Sequence, residues 1–178
     1  MLAEFQEKFP ELSRELGPKS LGRLLGSASM TELPAGRRII RDRMPVDSLY
    51  MILNGQVSIS VEESGQSTQL GQLGPGEWLG EVSVLSGELL ASSTVTTVVT
   101  TRFLRLRHQA FENLIASDQE MGAVLLKHLV GMLAARLRAS MKSLSRPLKD
   151  APPDGKAAAE QQLTNSTVQS FLGKMFGV

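Results

Sequence analysis

Few side chains in this sequence can do chemistry, and their spacing narrows what that chemistry is. Cysteine is absent, which removes disulfides, thiolate metal sites, iron–sulfur ligation and cysteine nucleophiles together. His108 and His128 are the only histidines. Without a third ligand at metal-binding spacing they define no metal or haem site and read as ordinary surface or helix-face residues. Gly74, Gly76 and Gly80 are spaced wrongly for a dinucleotide loop and lack its strand–helix–strand setting. No Gly-x-Ser-x-Gly elbow, Walker loop or His-Glu-x-x-His pair occurs. With no nucleophile–base set and no metal cluster, the sequence predicts a protein that binds rather than catalyses, without an assured cofactor. Two features remain. One is Gly80-Glu81, a glycine and a carboxylate set in the run Trp78-Leu79-Gly80-Glu81-Val82-Ser83-Val84-Leu85. The other is a cationic run, Lys127, Arg136, Arg138, Lys142, Arg146 and Lys149, with no Asp or Glu between Met121 and Lys149. Such a run is expected as a solvated helix face whose charges suit a helix C-terminus; contact with nucleic acid or an anionic membrane is the alternative.

The elements that must position these residues follow from periodicity. Leu2, Phe5, Phe9 and Leu12, then Leu21, Leu24 and Leu25, recur at helical steps. Residues 1–30 therefore read as a helical segment, broken by Pro10 and Gly17-Pro18. Residues 31–107 read as closely spaced strands: Arg37–Arg41, Leu49–Leu53, Gln56–Val61, Thr68–Leu73 and Thr94–Leu106. Asn54-Gly55, Glu63 to Gln66 and Gly74-Pro75-Gly76 separate them. Many short strands between turns predict a mainly β sandwich or barrel-like roll. Residues 108–145 return to a helical period, with a short helix over 109–116 and a long one from about Asp118 to Leu144. The long helix has two apolar stripes. Ala123, Leu126, Val130, Leu133, Leu137 and Leu144 fall at heptad spacing, while Met121, Leu125, Leu129 and Met132 form the second. Residues 146–178 read as a linker, stopped and stretched by Pro147 and Pro152-Pro153, then a short amphipathic tail using Val168, Phe171, Leu172, Met175 and Phe176.

The stretch Gly76-Glu77-Trp78-Leu79-Gly80-Glu81-Val82-Ser83-Val84-Leu85, a short turn, then Ala91-Ser92-Ser93-Thr94-Val95 resembles the phosphate-binding cassette of the cyclic-nucleotide-binding domain family, the effector half of catabolite-activator-type regulators. Pro34-Ala35-Gly36, Tyr50 to Val57, and Leu104-Arg105-Leu106 followed by Phe111 and Leu114 extend the resemblance over roughly residues 20–145. It implies a double-stranded β-helix, a jelly-roll-like β-roll, flanked by helices, with the cassette over 76–95. It also implies roles. A short helix starting at Glu81 would offer the N–H groups of Val82 and Ser83 to a cyclic phosphate, with Gly80 allowing close approach. Glu81 would accept from the ribose 2′-hydroxyl, and Ser92 would donate to an exocyclic phosphate oxygen. Cyclic AMP or cyclic GMP is the ligand so implied.

One departure matters. The alignment places Ala91 where the family carries its phosphate-pairing arginine, and no Arg or Lys lies between Arg43 and Arg102. A charge-assisted contact to phosphate is worth about 1.5–3 kcal/mol, so its loss weakens binding by roughly 10- to 100-fold. Arg136 or Arg138, on the helix that lids the ligand in the family, are the candidate replacements. The expectation is a regulatory module with a weakened, altered or lost nucleotide site. The alternatives are a protein-interaction scaffold working through the long helix and tail and, further off, a transcriptional regulator. Pairing of two copies through Leu126, Val130, Leu133, Leu137 and Leu144 follows from the heptad fit and the family's habit. The residues after the long helix are too few and too broken for a helix-turn-helix module. The N-terminus reads as no signal peptide and no stretch reads as a membrane span, which sets the cytoplasm as the expected compartment.

Overall fold

The computed structural model describes residues 1–63, 66–87 and 90–144; the expected linker and tail, 146–178, lie outside them. The chain opens with α1 (Leu2–Lys8) and α2 (Pro10–Ser27). Pro10 sits at the start of α2, where its missing N–H costs nothing. Gly17, at φ 67° and ψ 173°, is non-helical and divides α2 into two helical pieces across a kink, the break expected at Gly17-Pro18. The strands follow as β1 (Ser29–Leu33), β2 (Arg38–Ile40), β3 (Ser48–Asn54), β4 (Val57–Glu63), β5 (Gln66–Leu73) and β6 (Trp78–Leu79). A short helix, α3 (Glu81–Ser86), precedes β7 (Thr94–Thr97) and β8 (Thr101–Arg107), and α4 (His108–Ser117) and α5 (Gln119–Leu144) complete the described chain.

The strands form two antiparallel sheets, one in the order β1-β8-β3-β6 and the other β2-β7-β4-β5. The architecture is the expected mainly β roll with helices before and after it. Alternation along β3 explains how the layers are glued. Leu49, Met51 and Leu53 face the helices and join Phe5, Leu12, Leu24, Leu104, Leu106, Phe111, Leu125 and Leu129 in one core. Ile52 faces the other way and joins Ile40, Val57, Leu79, Val95 and Phe103 between the sheets. Both faces of β3 are dry, which is why its sequence is almost continuously apolar.

The expected single strand over Thr94–Leu106 is two strands in different sheets. The chain crosses at Val98-Val99-Thr100, where the Thr101 hydroxyl donates to the Val99 carbonyl at 2.7 Å and lies 3.1 Å from the Gln56 carbonyl. Threonine and valine suit either strand, so composition carries no sign of the crossover. Gly55 faces this corner at φ 91°, where a Cβ would come within 2.5 Å of the Thr101 hydroxyl.

Candidate binding cavity under the long helix

The short helix α3 is set by glycine at both ends. Gly80 has φ 79° and Gly87 φ 74°, a left-handed backbone that glycine adopts without steric cost. At Gly80 the space is closed as well: a Cβ would lie 2.4 Å from the Ser48 carbonyl. This close approach turns the chain sharply from β6 into α3 and carries Glu81 inward.

Glu81 is 4% exposed. Burial raises its carboxyl pKa above the usual carboxylate value, and the guanidinium of Arg136 opposes that rise. Arg136 reaches in from α5, donating to Glu81 Oε1 at 2.5 Å and to the Trp78 carbonyl at 2.7 Å. One ion pair thus closes α5 onto the cassette. Between them lies a cavity of about 380 Å³. Its walls include Ile40, Ile59, Leu70, Leu73, Leu79 and Val95 from the roll, and Leu133 and Leu137 from α5. Gly80, Glu81, Val82, Ser83, Ala91 and Ser92 line it too, so the cassette residues are brought together.

Their chemistry is unequal. The Ser83 hydroxyl is already committed, donating to the Leu90 carbonyl at 2.7 Å. Ala91 contributes a buried methyl group; its backbone N–H donates to the Met44 carbonyl and its own carbonyl accepts from the Arg43 N–H, each at 2.9 Å. Ser92 and Ser93 are half-buried along the wall. Among the described lining residues Arg136 is the one cation, against two carboxylates, Glu81 and Glu77. Glu77 accepts from the Gly74 N–H at 2.8 Å. Arg138 is exposed and does not line the cavity. No group of metal-ligating side chains occurs among the described residues.

The geometry divides α5 in two. Met121, Leu125 and Leu129, the second apolar stripe, are buried against α2, α4 and the first sheet. Beyond them the helix lies over the cavity. Leu133 and Leu137, expected on the pairing stripe, belong to the cavity wall, because the surface beneath the second half of α5 is a hollow that this face of the helix covers. Leu126 and Val130 remain outward, and the Leu144 side chain lies outside the described residues. The β5 wall and Glu77 went unnoticed in the sequence. The signal present was the alternation of Thr68 and Leu70 with outward polar residues.

The family model for the cyclic nucleotide-binding domain matches residues 30–118. The chain belongs to the cyclic-nucleotide-binding domain family. A cyclic nucleotide-gated potassium channel from Mesorhizobium japonicum is 30% identical over 116 residues, covering 65% of this chain and 31% of the channel. A CRP-like cAMP-activated global transcriptional regulator from Mycobacterium tuberculosis is 28% identical over 129 residues, covering 72% of this chain and 55% of the regulator. The chain therefore spans about half or less of the length of these relatives. Among solved structures, the catabolite activator protein of Thermus thermophilus superposes with a TM-score of 0.62 at 28% identity, covering 75% of this chain and 61% of that one. A cyclic nucleotide-binding domain from Methylobacillus flagellatus gives 0.70 at 22% identity, covering 86% and 85%. This cyclic-nucleotide-binding domain has no described helix long and apolar enough to cross a membrane.

Proposed function

We propose that the chain is a regulatory, non-enzymatic module whose cavity is a cyclic-nucleotide pocket altered at the phosphate position, with cyclic AMP and cyclic GMP bound weakly or not at all. The observation that carries this reading is the fate of charge in the cavity. Ala91 puts a methyl group where the family resemblance calls for a guanidinium. The lining cation that is present, Arg136, is paired with buried Glu81. A cyclic phosphate entering here gains no free cation, and a ribose hydroxyl must compete with Arg136 for Glu81. Occupancy would be reported through α5, since the same ion pair holds that helix over the cavity.

Calorimetric titration with cyclic AMP and cyclic GMP, of the natural protein beside Ala91→Arg, tests this. The expected result is binding at least roughly 10-fold tighter in Ala91→Arg. Equal and tight binding by both proteins would sink the reading, because Arg136 would then be serving the phosphate.

The exposed stripe of Ala123, Leu126 and Val130 favours a further element: two copies pair through the first half of α5. Leu126 and Val130 are 37% and 60% exposed and lie one turn apart, so with Ala123 they form a contiguous apolar strip, the kind of patch that marks an interaction surface. The scaffold reading, in which α5 and the tail hold another protein, shares this surface.

A further inference from the structure

We propose that the edge of the second sheet formed by residues 37–45, with Leu90 beside it, docks the protein on an anionic phospholipid surface. The proposal is independent of what the cavity binds. Strand β2 is terminal in its sheet, paired only to β7. Along it and the following turn stand Arg37, Arg38, Arg41 and Arg43, all exposed. Residues 34–46 hold these four arginines against one acidic residue, Asp42. Asp42 faces Arg43 at 3.8 Å, and among the described residues no ion pair reaches Arg37, Arg38 or Arg41. From Met44 to Thr101 the chain has no Lys or Arg, so within the second sheet the positive charge lies at this edge and not on β4, β5 or β7.

The same edge presents apolar side chains to water. Arg43 adopts φ 59°, a left-handed backbone uncommon for a residue with a Cβ. Its N–H donates to the Ala91 carbonyl, the Ala91 N–H donates to the Met44 carbonyl, and Pro45 bridges to Leu90. This turn sets Met44 beside the segment Leu90-Ala91, and Met44 and Leu90 are 49% and 50% exposed. Guanidinium forks suit phosphate oxygens, and their stems lie along apolar surface while their heads stay wet. Methionine and leucine beside them suit the boundary between headgroups and acyl chains. An acidic peptide added as a strand fits less well, because β2 is three residues long with an irregular register between Arg38 and Ile40. Duplex nucleic acid would use the arginines but leave Met44 and Leu90 in water.

The test is flotation of the full chain with phosphatidylcholine vesicles, with and without phosphatidylserine, at low and high salt. Binding is expected only with phosphatidylserine, falling as salt rises. Arg38→Gln/Arg41→Gln should lose about 20- to 30-fold in partitioning with an unchanged melting curve. Met44→Ser/Leu90→Ser should lose about 10-fold. Arg14→Gln/Lys19→Gln, which removes equal charge from α2, should retain binding within about two-fold, separating this edge from net charge. No binding to either vesicle, equal binding to both, or no loss in the Arg38/Arg41 variant would overturn the proposal. So would retention on polyglutamate or duplex DNA tighter than on phosphatidylserine vesicles, which would give the arginines another partner.

Discussion

Replacing Arg136 with methionine keeps most of the aliphatic stem and removes the charge that faces Glu81. The consequence depends on pH in a defined direction. The Glu81 carboxyl is raised above its ordinary 4.5 by burial, with the Arg136 charge acting against that rise. A raised carboxyl holds its proton more tightly in the folded chain than in the unfolded one. Folding stability from this group is therefore greatest below about pH 4.5 and declines as pH climbs through the folded value. Without Arg136 the folded value rises further and the decline deepens. Stranding one member of a fully buried pair costs about 3–5 kcal/mol. Arg136 is 26% exposed, so solvent screening reduces the expected cost near neutral pH to about 2–3 kcal/mol. For a chain of this size that is a fall of about 5–10 °C in melting temperature. Below pH 4.5, where Glu81 is protonated in either state, most of the difference should vanish. Thermal melts across that range, with Glu81→Gln/Arg136→Met as a third protein, decide the matter. The double variant should recover most of the loss, because neither charge is left buried. An equal loss at every pH, or no recovery in the double variant, would show that Arg136 acts by packing and that the ion pair does not govern α5.

Two shorter predictions come from the backbone and the outer face of α5. Gly80→Ala forces a Cβ against the Ser48 carbonyl at a left-handed φ; the expected loss is about 2 kcal/mol or more in urea unfolding, and a cost under about 0.5 kcal/mol would mean that the β6–α3 turn simply relaxes. Val130→Glu should leave the monomer's stability within about 0.5 kcal/mol while shifting sedimentation from dimer to monomer; a monomeric natural protein, or a dimeric variant, would remove α5 as the pairing surface.

Much of the architecture was readable because strong local signals agreed with the tertiary result. The helical spacing of Leu21, Leu24 and Leu25, the turn at Asn54-Gly55 and the apolar run of β3 each survive into the structure because burial and local preference point the same way. The crossover between β7 and β8 was not readable, since β-branched residues are indifferent to which sheet they join. At the cavity, the pattern around Gly80-Glu81 pointed to the cassette, and the family resemblance raised Arg136 or Arg138 as able to reach it, of which Arg136 lines the cavity and Arg138 does not. What it could not give was the object of that reach. Arg136 and Glu81 are 55 residues apart, and only the path of α5 over the roll makes them partners. The heptad stripe failed part-way for a related reason. Spacing says which residues share a helix face, but not where along the helix its neighbours end, and beyond Leu129 the surface under α5 is a hollow rather than a packed wall.

Strand β3 has one more consequence. Its odd and even residues belong to different cores, Leu49, Met51 and Leu53 to the helical one and Ile52 to the one between the sheets. Neither core can open without stripping one face of this strand, and a β3 so stripped would also lose its register with β8. The helices and the roll are therefore thermodynamically a single unit. The N-terminal helices are not an appendage that could be trimmed to leave a self-sufficient β-roll, and heat should melt the two layers in one transition.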